Sequence, residues 1–545
     1  MKKSRFLALF LAALIALTCV GCGESSGTKM PDGGSTTEKN AGTNTGTDTV
    51  KTLRVGITED PVSFAPWESP AEGRYGVLPV VYQMLFYTEK TGGELIGDIG
   101  ESYEHTDDTH TVVKIKENVN DALGNHLTAE DVVFSYQKSI ESNHETYCPY
   151  VVSVEALDEY TVEFTWTEGF LDTCGMFSKA MCTQCHIVTK AAYEAANDGM
   201  AVAPVGTGPY KVENYIAGSH ITLVKNDNFW WKENCPERYQ QNIDVVEIDI
   251  IPEASQISVA LQTGSIDISN YVADADLVLF KEGGASSEGF TVDDALSGMY
   301  YEMEFNCAEG GMGASENLRK AICTAIDVDA IMSALFGDEY VRIYCPTGSE
   351  MNADYNMDWA TQPYYEFDLD AAKAYLDAYL AESGKTASDL TFRIIGVDTA
   401  ATQSMIQILQ GYVLQLGINC TIGVYDTATY NSYKLDPTAW DVCLERRGAS
   451  PYVVNGWPVL RSGSQDGLTT RTFINDDKLE EMAVTATTVS THTQEIVNEL
   501  RDYVTEHCFA YGLGSSFNYM VHSDRVTHAY KRTDGHIMYG ACTVE

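Results

Sequence analysis

The sequence predicts an α/β protein built on more than one hydrophobic core. Strand-patterned and helix-patterned runs alternate along most of the chain. Roughly 495 residues of globular composition also exceed what one core accommodates, so two or three lobes are expected. The balance of 78 Asp and Glu against 35 Lys and Arg leaves a net charge of −43 at pH 7. That acidity excludes nucleic acid as a partner and disfavours adhesion to anionic lipid or polymer.

Lys2, Lys3 and Arg5 precede the apolar run from Phe6 to Leu17, which is too short for a permanent transmembrane helix and right for a signal-peptide core. Residues 1–21 therefore read as a signal peptide, and the chain as exported. Cys22 follows Val20-Gly21 and precedes Gly23. This resembles a lipobox, with Cys19 standing where that motif usually carries Leu, and implies lipidation of Cys22; cleavage without lipidation is the alternative. Residues 22–50 are mostly Gly, Ser, Thr, Asn and Asp and cannot bury a core, so they read as a tether. About 28 flexible residues reach roughly 30 Å. Removing Lys2, Lys3 and Arg5 leaves −46 on the mature chain. No later segment is apolar and long enough to cross a membrane.

Leu53, Val55 and Ile57 alternate as a first strand, and Asp60-Pro61 opens a loop carrying Phe64 and Trp67 before a helix through Val80, Met84 and Leu85. Thr128 is placed as an N-cap with Asp131 at the capping-box position. A helix over 253–263 stops at Gly264 and runs into the strand Ile266-Asp267-Ile268. Leu318, Ile322 and Ile326 share a helix face, and Asp327 caps a second helix that ends before Gly337. Asp368 caps another helix, and Gly417 ends one through Ile406, Leu409 and Val413, followed by the strand Ile418 to Val424. Most of the 32 tyrosines are expected in the core.

From Pro204 to Trp231 a glycine-bracketed turn feeds a hairpin. Gly206 and Gly208 supply positive φ or a close backbone approach, Tyr210 and Val212 alternate, and Ala217-Gly218-Ser219 turns the chain back to Ile221 and Leu223. The wording PVGTGPY resembles the hallmark segment of the extracellular solute-binding proteins of family 5, the peptide- and nickel-type receptors of ABC importers. The segments at 127–132, 260–268 and 317–337 resemble further parts of that family's pattern.

The resemblance implies a two-lobed periplasmic-binding-protein-like fold of type II with an additional inserted domain, closing around a ligand. It assigns 51–88, 204–296 and 509–545 to the first lobe, 89–203 to the inserted domain and 297–508 to the second lobe. It also implies a monomeric receptor that hands a peptide or peptide-like solute to ABC permease subunits, with no chemistry on the ligand and no resident cofactor. A surface sensor of the same fold is an open alternative. Family motifs place Phe64, Trp67 and Asn306 as cleft candidates. After the strand resembling Trp440-Asp441-Val442, peptide-binding relatives carry an aspartate for the ligand's ammonium group; an ungapped reading puts Ser450 there, with Tyr452 two residues on. Glu445 is the substitute acid after a small shift. Arg446 and Arg447 are candidates for an anionic ligand group, since guanidinium forks match carboxylates bidentately; an outward position pairing with surface acids is the alternative.

Motifs of hydrolases, zinc proteases and phosphate loops are absent, and Gly206-Thr207-Gly208 precedes a strand rather than the helix of a dinucleotide loop. Cys182-Thr183-Gln184-Cys185-His186 has the spacing of covalent c-type haem attachment. A metal or redox site that adds Cys174, disulfides, and buried thiols are its competitors. His522, His528 and His536 are spaced by six and eight, which fits no compact metal site, so no metal is expected there.

Overall fold

The computed structural model describes residues 50–545 apart from 68–75, 90–92, 146, 183–184, 449, 461–471 and 533–534, with 457–460 described by backbone alone. The expected signal peptide, Cys22 and the tether up to residue 49 lie outside the described residues.

An 11-stranded sheet organises the molecule. Thr52–Ile57 is a strand because Leu53, Val55 and Ile57 turn inward, each 2% exposed or less. It runs parallel to Val245–Ile250 on one side and Ile268–Ser269 on the other. The antiparallel strands His220–Lys225 and Tyr210–Ile216 complete this first wing. In the second wing, Thr391–Val397 lies parallel between Asn419–Tyr425 and Val442–Gly448. Two long antiparallel strands, Phe290–Phe305 and Ala510–Ser523, run through the middle and serve both wings.

Their register breaks where Leu296 faces Phe517 but Tyr300 faces Ser515. Ser515 Oγ donates to the Met299 carbonyl at 2.7 Å, with that of Ser297 at 3.1 Å, which satisfies backbone the ladder leaves out. A separate antiparallel sheet takes Gly100–His105, His110–Ile115, Thr161–Trp166 and Val151–Asp158 in that order. The Ala129–Ser142 helix packs on it, and its N-terminal Thr128 N–H donates to Asp131 Oδ2 at 2.8 Å, the capping box read from the sequence.

Gly206 and Gly208 work by close approach and not by positive φ. A Cβ at Gly206 would sit 2.0 Å from the Val81 carbonyl oxygen, and one at Gly208 2.5 Å from that of Val80. The same crossing corrects the expected helix through Met84 and Leu85. Only Leu78–Val81 is helical, because the Met84 and Leu85 carbonyls accept from Ile99 and Gly100 instead. The other predicted caps are present: Asp327 accepts from Ala330 N at 2.9 Å, Asp368 from Asp370 and Ala371, and Gly417 takes φ +78° after the Ala400–Gln415 helix.

One apolar cluster joins the first wing to the four-stranded sheet through Val55, Trp166 and Trp230; another, with Met303, Ile394 and Leu409, fills the second wing. Tyr82, Tyr136, Tyr147, Tyr210, Tyr430, Tyr511 and Tyr539 are fully buried. Among the described residues no helix is long and apolar enough to cross a membrane.

Candidate functional site

Sheet direction locates a crevice. Ile268–Ser269 pairs antiparallel with Val521 and His522, so its carboxyl end points along the central strand toward the break at Ser515. Val442–Gly448 pairs antiparallel with Phe290–Phe305 and ends with Gly448 opposite Met299, at the same break. Ligand crevices of α/β sheets lie outside the carboxyl ends of strands, and here two such ends approach one place from opposite wings.

The loops at those ends are held in shape. Asn270 Nδ2 donates to the Gly535 carbonyl at 3.2 Å. On the other side Asn352 Nδ2 donates to the Ser450 carbonyl at 2.5 Å, Ala353 N to Pro451 O at 2.9 Å, and Val453 N to Asp354 Oδ1 at 2.5 Å. Asp354 is buried, which raises its pKa, while the Val453 N–H works against that rise.

The four-stranded sheet's domain supplies a third wall. Cys174 N donates to Thr487 O at 2.9 Å, Val489 N to Asp172 O at 2.6 Å, and Asn455 Nδ2 to Cys174 O at 2.6 Å. Gly175, at φ +75°, admits no side chain here; its Cβ would meet Asn455 Oδ1 at 2.7 Å and the Tyr452 ring at 3.0 Å. Tyr103, His105 and Phe177 form an aromatic group on this domain, with Tyr103 and Phe177 rings 5.1 Å apart. On the central strands beside the break, a cavity of about 740 Å³ is lined by Phe290, Asp294, Phe517 and Tyr519 of those strands together with Phe280 and Glu339. Lys281 pairs with Glu339 across it.

The residues singled out from the sequence take different roles. Phe64 is fully buried, edge-on to Tyr215 at 4.9 Å, and Trp67 Nε1 donates to the His186 carbonyl at 3.2 Å while its ring meets Tyr193 and Phe134. Both side chains stand in the first core. Asn306 is spent on backbone: Nδ2 donates to Pro437 O and Trp440 O, each at 2.8 Å, and Oδ1 accepts from Ala308 N. Ser450 and Tyr452 are half-buried at the crevice, the Tyr452 ring 5.4 Å from His492.

Strand alternation sends Arg446 and Arg447 to opposite faces. Arg446, opposite Tyr301, is exposed and has no hydrogen bond or ion pair among the described residues. Arg447, opposite Tyr300, has Nε 2.5 Å from Glu302 Oε1 and donates through Nη2 to Glu304 Oε1. Both glutamates are fully buried, and Glu302 Oε2 also accepts from Thr347 N at 2.7 Å. Glu445, the substitute acid, accepts from Tyr430 OH at 2.8 Å and pairs with the buried Lys434. One ligand atom each from Glu304, Cys443 and Glu445 lies within 4.8 Å of the others. Arg447 and Lys434 already neutralise those carboxylates, so a metal ion would meet two competing cations.

Cys182 and Cys185 pack on the first core. Cys182 Sγ donates to Ser178 O at 2.9 Å, Cys185 is 1% exposed, and His186 Nδ1 lies 3.2 Å from the Pro66 carbonyl oxygen with its ring against Tyr82. Burial pushes both thiols up to about 12. His522 and His528 pair separately with Asp293 and Glu237. Glu302 and Glu304 were not picked out from the sequence, although two acids alternating through Tyr-Glu-Met-Glu-Phe in a buried strand is a legible signal.

Comparison with known proteins accords with this architecture. Residues 94–465 match the bacterial extracellular solute-binding proteins, family 5. The oligopeptide-binding protein AppA of Bacillus subtilis is 27% identical over 394 residues, 70% of this chain and 67% of that protein. The structure of AppA from Bacillus subtilis with a nonapeptide superposes with a TM-score of 0.67 at 19% identity, over 91% of this chain and 99% of that one. HbpA2 from Haemophilus parasuis gives a TM-score of 0.77 at 18% identity, over 91% and 100%. The fold is thus the two-lobed fold of periplasmic solute-binding proteins, and the chain belongs to the bacterial extracellular solute-binding proteins of family 5.

Proposed function

We propose that this protein is a lipid-anchored receptor that captures a peptide or peptide-like solute in the interlobe crevice and delivers it to the permease of an ABC importer. One observation carries the reading: the two wings share a pair of long strands whose register breaks where loops from both wings converge. Such a junction permits hinge closure on a solute. The peptide-binding relatives support this ligand class. Residues 51–88, 204–296 and 509–545 form the first lobe of this reading, 89–203 the inserted domain and 297–508 the second.

Arg446 is the guanidinium free to meet an anionic ligand group, while Arg447 braces the crevice floor. Tyr452 and the Ser450 loop supply the adjacent wall.

Native mass spectrometry of the protein released from its producing cell, with a visible spectrum on the same sample, tests this. A retained peptide mass, together with a diacylglyceryl group on Cys22, is the expected result. A Soret band with covalently added haem mass would overturn it in favour of the Cys182 to His186 segment.

A further inference from the structure

Among the described residues three arginines are buried, Arg238, Arg319 and Arg501, at 7%, 3% and 5% exposure. The fold treats two of them alike. Arg319 donates to His507 O at 2.9 Å, Gly313 O at 2.8 Å and Ala314 O at 3.1 Å. Arg501 donates to Tyr344 O at 2.7 Å, Gln362 O at 3.1 Å and Asp502 at 3.0 Å. Arg238 has no hydrogen bond and no ion-pair contact among the described residues, and its Nε is shut off from solvent.

Nearby groups that could satisfy it are already engaged. Asp98 accepts from Gln83 Nε2 at 2.5 Å, Met84 N at 3.1 Å and Tyr239 OH at 2.8 Å. Glu89 accepts from Tyr530 OH at 3.1 Å. The neighbouring cation Lys116 takes the backbone carbonyls of Gly97, Asp98 and Gly100.

What Arg238 does have is two aromatic rings, with the guanidinium carbon 4.2 Å from the Tyr87 centroid and 5.2 Å from that of Tyr239. A cation held over ring faces gains no hydrogen bond from them, so the guanidinium N–H groups remain without an acceptor among the described residues. A buried charge with an empty hydrogen-bonding edge is costly unless something occupies that edge. Arg532 adds positive charge beside it, close enough to act with Arg238 on both Cys182 and Tyr239.

We propose that Arg238 anchors an anion-binding subsite in the seam between the Phe86–Tyr87 strand, the Glu237–Tyr239 turn and Tyr530, and that this subsite takes a carboxylate group through the open guanidinium edge. Two sources share that chemistry, a free small carboxylate and the C-terminus of a captured peptide. The subsite stands on Arg238 whether or not the solute is a peptide.

The test is calorimetric titration of the full mature protein, wild type and R238M, with acetate, with tri-alanine and with tri-alanine amide. Methionine keeps the side-chain packing on Tyr87 and removes the charge. Wild type is expected to bind acetate or tri-alanine about 10- to 100-fold more tightly than R238M, the factor a charge-assisted hydrogen bond carries. R238K, which keeps the charge without the fork, should recover part of that difference. Preference for tri-alanine over its amide, lost in R238M, assigns the site to a peptide terminus; acetate binding without that preference assigns it to a free carboxylate and leaves the peptide reading to its own experiment. Equal carboxylate binding by wild type and R238M would overturn the proposal and make Arg238 a structural cation held by the through-space charge of Asp98 and Glu89.

Discussion

Arg447 donates into the buried carboxylate of Glu304 on the neighbouring strand while its Nε stands 2.5 Å from Glu302, so one guanidinium binds two acids that have no exposure of their own. Net charge in this group is negative before Glu445 and Lys434 are added, and those two cancel. A ligand carboxylate would therefore find Arg447 already neutralised.

This pairing separates the two arginines experimentally. R447A leaves Glu302 and Glu304 buried without a counter-charge and is expected to cost about 3 to 5 kcal/mol in urea unfolding. R446A removes an exposed, unpaired side chain and should stay within about 0.5 kcal/mol of wild type. If Arg446 meets an anionic solute, R446A weakens binding of that solute about tenfold or more without changing the midpoint. Equal stability of the two variants would show that Glu302 and Glu304 are held by something else.

Two glycine substitutions should move stability in opposite directions. G206A places a methyl 2.0 Å from the Val81 carbonyl oxygen, so the backbone must separate; a loss of about 3 kcal/mol or more, or failure to fold, is expected. Gly411 lies inside the Ala400–Gln415 helix with nothing within 4 Å of its would-be Cβ. G411A should gain up to about 1 kcal/mol from helix propensity alone. Thermal melts of both variants check the pair, and a neutral G206A would mean that the Val81–Gly206 crossing is not close-packed.

Asp98 is fully buried and its pKa is raised from 3.8 to about 6, first by burial, with the Tyr239 hydroxyl, Arg238, the Met84 N–H and Lys116 opposing the rise. The native state therefore holds a proton that the unfolded chain releases earlier. Between pH 3.8 and about 6 this group's contribution falls as pH rises, by about 3 kcal/mol across the window. D98N should flatten that part of the stability profile, measured by denaturant midpoints at each pH. An unchanged slope would place the titration elsewhere.

Thiol chemistry offers a fourth check. Burial pushes Cys182, Cys185 and Cys420 up to about 12, so their thiolate fraction near neutral pH is very small. Iodoacetamide mapping at pH 7.5 should label these three positions slowly in the native protein and rapidly after unfolding. Fast native labelling of Cys185 would show that the Cys182 to His186 segment opens, and would revive its reading as an attachment site.

Much of the local structure was legible because it depends on neighbours in sequence. The Thr128 and Asp131 capping box, the stops at Gly337 and Gly417 and the strand Leu53 to Ile57 each follow from a few adjacent residues. The missed helix through Met84 and Leu85 shows the limit. Its pattern was helical, but residues 98–100 offered those carbonyls a better partner. The site was harder still: Phe64, Trp67 and Asn306 have residue types a crevice would use, and tertiary packing assigned them to cores and backbone capping.

The amino-acid sequence alone determined the α/β class, the caps and turns, and the family, because periodicity, capping and motif wording are properties of short contiguous stretches. The tertiary structure decided which arginine is bound and which is free, and left Arg238 without a hydrogen-bond acceptor among the described residues. Those outcomes depend on pairing between segments far apart in the chain, such as 302 with 447 and 87 with 238, and on which residues burial strips of water. Desolvation makes each such pairing matter, and no window along the sequence contains both partners.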